Sequence, residues 1–169
     1  MYPYNRNTQL YRSHSLTTRE TRDPALTELA EDSRLLALLQ IAVEETAQMA
    51  QRYHRLLMEA DILTPSADII KSMYLDEQKH LKQLREALFL ITGQTPEMPS
   101  ADQTPSTTEQ LQPAEYLEET LLQELDEVDF YRNFFLAVPS GQLRDTFFEI
   151  ITDKQNHVNA LTYLFSKYF

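Results

Sequence analysis

Residues 74–84, YLDEQKHLKQL, and residues 150–161, IITDKQNHVNAL, are two versions of one phrase, Asp-Glu-x-x-His in the first and Asp-Lys-x-x-His in the second. Residues three apart share a face of a helix, so Glu77 and His80 can present a carboxylate and an imidazole side by side. Tyr53 and Tyr131 repeat at the same spacing to within one residue. The chain therefore reads as two matching halves, each a pair of helices, facing one another about a pseudo-twofold axis.

The surrounding pattern supports that division. Two glycines, no long alternating β-branched run and abundant Leu, Glu, Gln and Ala favour an all-α chain. A first helix is predicted from about Ser33 to Ala60, with Leu35, Leu38, Leu39, Ala42, Met49, Tyr53, Leu56 and Leu57 recurring at helical steps. A second runs from about Ala67 to Thr92, with Ser66 or Asp68 available to cap it and Gly93 to end it. Its apolar stripe is Ile70, Met73, Tyr74, Leu81, Leu84 and Leu88. The third, about Ala114 to Ala137, follows Pro113, a residue suited to a first helical turn. The fourth extends from Gln142 almost to the end, turning Leu143, Phe147, Ile150, Ile151, Leu161, Leu164 and Phe165 inward. The aromatics of LTYLFSKYF, 161–169, are expected to pack mainly within the bundle.

The links set the topology. DILTPSAD and VPSG are short enough to make antiparallel hairpins of helices one and two and of helices three and four. Residues 93–113, GQTPEMPSADQTPSTTEQLQP, have no helical period. A helix of this size is roughly 40 Å long, and about 20 extended residues can reach roughly 65 Å, so this segment can cross from one end to the other. A two-helix hairpin cannot cover its own apolar stripe, which favours one four-helix bundle over two independent units. Residues 25–169 are assigned to it. Residues 1–24 are polar and unpatterned, with Arg6, Arg12, Arg19 and Arg22, and read as a flexible arm or one lying on a neighbouring subunit.

Composition narrows the chemistry. The absence of cysteine removes disulfides, thiolate zinc sites and iron–sulfur clusters, so any metal would be held by carboxylate and imidazole. A net charge of -11 disfavours nucleic acid and anionic membranes as partners. No apolar run has the length of a membrane span and the first residues lack the apolar centre of a signal peptide, so a cytoplasmic protein is expected.

The third helix adds ELDEVDFY, 124–131, which places Glu124, Glu127 and Tyr131 along one ridge, with Glu124 the carboxylate expected to point inward. With DEQKH at 76–80, ELDEVDFYRNFF at 124–135 and DKQNH at 153–157, residues 30–168 resemble the ferritin-like superfamily, and within it the small rubrerythrin-like proteins of bacteria. The resemblance implies a ferritin-like four-helix bundle, two antiparallel hairpins joined by a long crossover. It also implies a di-iron or di-manganese centre with one Glu from each of helices one and three, a Glu-x-x-His from each of helices two and four, and oxidation of ferrous iron or reduction of peroxide. A homodimer through the bundle is a further expectation.

Carried over residue by residue, the resemblance makes Glu77, His80, Glu124 and His157 remnant ligands. Counting back from Tyr53 puts the helix-one ligand at Thr46, with Glu45 one position and Glu44 two positions away; Glu45 is the carboxylate retained as a candidate. The remaining ligand is replaced by Lys154. A protonated ammonium is no ligand and repels a divalent cation. If Lys154 points inward, its charge compensates the core carboxylates without metal; if it snorkels outward, Asp153 could supply the missing carboxylate. His80 and His157 read equally well as core histidines paired with acids, His54 as a surface residue beside Arg52 and Arg55, and Tyr53, Tyr74 and Tyr131 as buried tyrosines with paired hydroxyls. The reading favoured is a non-enzymatic scaffold or interaction module without cofactor. The alternative is an iron- or manganese-binding redox protein with an altered site.

Overall fold

The computed structural model describes residues 33–94, 112–138 and 141–169; the expected arm, 1–24, and residues 95–111 of the expected crossover lie outside them. Four long helices account for nearly all of the described chain: α1 (Ser33–Glu59), α2 (Ala67–Thr92), α3 (Pro113–Ala137) and α4 (Gln142–Tyr168). No described helix is long and apolar enough to cross a membrane.

Each boundary has a local cause. α2 stops because Gly93 adopts φ 73°, the left-handed conformation that a residue without Cβ enters at little cost, and its N–H still bonds to Phe89 O at 2.8 Å. Pro113 opens α3, where its missing N–H has no partner to lose. The link after α1 is tighter than a loop, because Asp61–Ser66 winds as a 3-10 helix containing Pro65 and runs straight into α2. Ser66 does not cap α2 through its side chain as expected. Its hydroxyl instead pairs with Tyr168 Oη at 2.8 Å and accepts from Lys167 Nζ at 3.0 Å, tying the last turn of α4 to this corner.

Paired contacts fix the directions. Thr46 meets Tyr131 while Tyr53 meets Glu124, so α1 and α3 are antiparallel. Asp76 faces His157 and Gln83 faces Glu149, so α2 and α4 are antiparallel as well. The same holds within α3–α4, where Glu124 meets His157 and Glu127 meets Lys154. α1 and α2 reverse across their corner, since Leu39 shares a core cluster with Leu88 and Ile91 while Leu56 shares the other with Ile70. These relations leave α2 and α3 parallel. α2 ends beside Ile91 in one cluster and α3 starts beside Leu117 in the other, so the chain between them joins opposite ends of the molecule.

Every apolar position read as inward from the sequence is buried or partly buried. Two apolar clusters result. One holds Leu39, Leu84, Tyr131, Phe134, Phe147 and Ile150; the other holds Met49, Leu56, Ile70, Leu117, Leu161 and Leu164. Along every helix the residues between them are polar and buried: Thr46 on α1, Glu77 and His80 on α2, Glu124 and Glu127 on α3, Lys154 and His157 on α4. The C-terminal aromatics divide, with Phe165 and Tyr168 against the core and Tyr163 and Phe169 exposed.

Candidate functional site

The polar layer is built around Lys154. Its side chain is 0% exposed, and Nζ lies 2.9 Å from Glu77 Oε1 and 3.4 Å from Glu124 Oε2, with Glu127 Oε2 closer still. Three helices thus converge on one ammonium. These contacts are at ion-pair distance but not aligned as hydrogen bonds, for Lys154 Nζ, both Glu77 oxygens, Glu124 Oε2 and Glu127 Oε2 are all buried without one. Coulomb attraction needs no such alignment and is strong where water is excluded.

The two histidines close the cluster on its α2–α4 side. His157 Nδ1 lies 3.2 Å from Glu124 Oε1 and 3.3 Å from Glu77 Oε1, while Nε2 faces Asp76 Oδ2 at 3.4 Å. A neutral imidazole has one N–H to donate, so a ring flanked by carboxylates at both nitrogens is stabilised as the imidazolium. Burial alone would lower the His157 pKa, but the carboxylates of Asp76, Glu124 and Glu77 around its two nitrogens push it up to about 11. His80 follows the same pattern, with Nε2 3.0 Å from Asp153 Oδ2 and Nδ1 3.7 Å from Glu77 Oε1. Burial opposes its charge, and Asp153 and Glu77 outweigh burial to raise its pKa.

The carboxylates respond to their different neighbours. Burial would raise Glu77, yet Lys154 and both histidines hold it well below the usual range. Glu127 has no histidine beside it; burial, offset in part by Lys154, and repulsion from Glu124 and Glu77 bring it up to about 7. Lys154 is opposed by burial, but the three glutamates hold its pKa well above the ordinary lysine value. On the α1 side Tyr53 Oη donates to Glu124 Oε1 at 2.5 Å, and burial together with that carboxylate raises the tyrosine pKa well above 10.

The structure separates the sequence candidates. Glu77, His80, Glu124 and His157 are buried together, and Lys154 stands among them. Glu45 does not join them: it is only half-buried, and burial raises its pKa against the pull of the Lys154 charge, while Glu44 is exposed. The position facing inward is Thr46, fully buried and paired with Tyr131 Oη at 2.8 Å. One residue turns a helix by about 100°, which is why the step from Thr46 to Glu45 carries the carboxylate out of the interior. Asp153 does not replace the missing carboxylate either. It is 23% exposed and bonds to His80 and, at 2.8 Å, to Lys79 Nζ. Glu127 is a central residue that ranked below Glu124 in the sequence, although its place on the Glu124–Tyr131 ridge was the available signal.

As a donor set for metal, the layer is mixed. Glu77, Glu124 and His157 offer one ligand atom each, all within 4.8 Å of one another. Lys154 Nζ already occupies both of those carboxylates and Glu127 besides, and α1 adds the Thr46 hydroxyl where the expected two-metal centre has a carboxylate. These residues do not fit a dinuclear carboxylate centre. No family model, curated protein or solved structure matches the chain.

Proposed function

We propose that this chain is a ferritin-like protein, of the small rubrerythrin-like kind, whose metal centre has given way to an ion-paired core, and that it serves as a non-enzymatic scaffold or interaction module. The observation that carries this reading is the fully buried Lys154 ammonium, 2.9 Å from Glu77 and 3.4 Å from Glu124. A cation fixed to the backbone there neutralises carboxylates that would otherwise need metal. The antiparallel pairing of α1 with α3 and α2 with α4, the long link between parallel α2 and α3, and Glu-x-x-His facing Lys-x-x-His support the ferritin-like assignment.

A second reading has one specific observation in its favour. Glu77, Glu124 and His157 could hold a single divalent cation if Lys154 swung away and His157 lost a proton. Iron or manganese bound there would supply redox chemistry. Metal content and thermal stability separate the two. Protein exposed anaerobically to excess ferrous iron and manganese, then desalted, is expected to carry almost no metal, and its Tm to be unmoved by either ion or by chelator, since a ligand that does not bind the native state cannot stabilise it. About one equivalent of metal with a raised Tm would establish the second reading; two equivalents would restore a full centre and overturn the first.

A further inference from the structure

One row of exposed residues on α4 departs from the rest of this acidic surface. It steps by three and four from Phe148 through Thr152, Gln155, Asn159 and Thr162 to Ser166, and none of these side chains is charged, whereas α2 exposes Lys71, Lys82 and Glu86. Phe148 lies against Phe135 of α3, with ring centroids 6.0 Å apart, so the row borders α3. The matching row of α3 holds Leu122, Leu125 and Leu136, which are 55%, 46% and 68% exposed. Between them Asp129 and Arg132 neutralise each other at 2.8 Å.

The centres of protein interfaces are depleted of charge, and the chemistry left on this face selects the partner. Amide side chains both donate and accept, so an identical copy satisfies them across a two-fold axis. Two copies of a chain with a net charge of -11 repel wherever carboxylates meet, and this face is where they do not. Two helices side by side offer about 40 Å by about 20 Å, or roughly 800 Å², the share of one partner in a standard interface.

We propose that the α3–α4 face docks a second copy of this chain, about a two-fold axis that crosses both helices at the level where Glu124 meets His157. The proposal rests on the reading of the chain as an interaction module and supplies its partner. Three pairs of residues straddle that level: Leu122 with Leu125, Gln155 with Asn159, and Glu118 with Arg132. The rotation runs each helix antiparallel to its own copy. It sets Leu122 on the partner's Leu125 and Gln155 on the partner's Asn159, and it brings Glu118 toward the partner's Arg132. Lys154 and its glutamates sit on the inner side of the helices and keep their charges.

Sedimentation of the full chain is the test. The expected particle has twice the 19.8 kDa chain mass across the micromolar range. Gln155→Glu with Asn159→Glu sets like charges across the axis and should weaken association roughly 100-fold or more, whereas Gln155→Glu with Asn159→Lys sets opposite charges there and should keep the dimer. These positions are exposed, so Tm should hardly move; if either variant fails to fold, Leu122→Glu takes its place with the same expected loss of association. A single-chain mass for the wild type overturns the docking, whether water or another stretch of the chain covers the face. A dimer that survives both glutamates overturns this face as the interface, as does an equal loss from Gln78→Glu on the exposed side of α2. Dissociation of the Gln155→Glu, Asn159→Lys variant overturns the antiparallel register. A single chain without bound metal removes the docking and leaves the ion-paired core standing, whereas a dimer that binds two equivalents of metal keeps the docking and removes that core.

Discussion

The two copies of the repeated phrase occupy equivalent places on α2 and α4 and have opposite roles. Their flanking residues behave alike: Asp76 bonds to His157 across the seam and Asp153 bonds to His80, so each acid serves the histidine of the other copy. The central positions differ. Glu77 supplies a buried negative charge and Lys154 the positive charge that it faces at 2.9 Å. A duplicated pattern that would place like charges in contact becomes, through one residue, a complementary pair. Symmetric carboxylates repel and need an outside cation, whereas a Glu–Lys pair holds its compensating charge within the chain.

The largest expected effect comes from removing that charge. Lys154→Ala removes the one ammonium that faces all three buried glutamates, leaving Glu127 with no cation beside it, and should destabilise the fold by about 3–5 kcal/mol in chemical denaturation, the range for breaking a buried pair. A loss under about 0.5 kcal/mol would mean that the two copies do not face each other. If the cost is carboxylate repulsion, Lys154→Met combined with Glu77→Gln should lose less than the sum of the single changes, and strict additivity would break the pairing.

Alkali is the next probe, and it reports on the histidines that the copies share. His157 has a folded pKa of about 11 against an ordinary 6.5, so its stabilisation is complete below about pH 6.5 and is lost as pH rises toward 11. Tm should fall steadily across that interval. Asp153 acts in the opposite direction: its pKa is lowered to about 2 from 3.8, opposed by burial and driven by His80 and Lys79, so its contribution is present above 3.8 and lost as pH falls toward 2. A Tm that stays flat from pH 7 to 10 would show that His157 is not held as a cation.

Smaller effects grade the layer outward. Tyr53→Phe removes one of the two partners of Glu124 Oε1, leaving His157 Nδ1, and should cost about 1.5–3 kcal/mol, the range for a hydrogen bond to a charged group. Lys79→Ala, at the exposed edge of the α2–α4 seam beside Glu149 and Asp153, should cost no more than about 1 kcal/mol. A Lys79 effect as large as that of Lys154 would place the stabilising charge at the surface rather than in the interior.

The helices, their approximate ends and their inward faces follow from the sequence by itself, because a period of apolar residues and the conformational limits of glycine and proline act locally. Leu84, Phe147 and Gly93 could each be placed without knowing their partners. The pairing of Glu-x-x-His with Lys-x-x-His was equally legible, since spacing along a helix determines which side chains share a face. What the tertiary structure decided is rotation and company: that Thr46 rather than Glu45 turns inward, that Glu127 joins Glu124, and that Lys154 points to the core while Asp153 goes to His80 and Lys79. A lysine near a core can snorkel or ion-pair, and the choice depends on whether carboxylates from other helices arrive close enough to outweigh its lost hydration. That balance is set by side chains far apart in the chain.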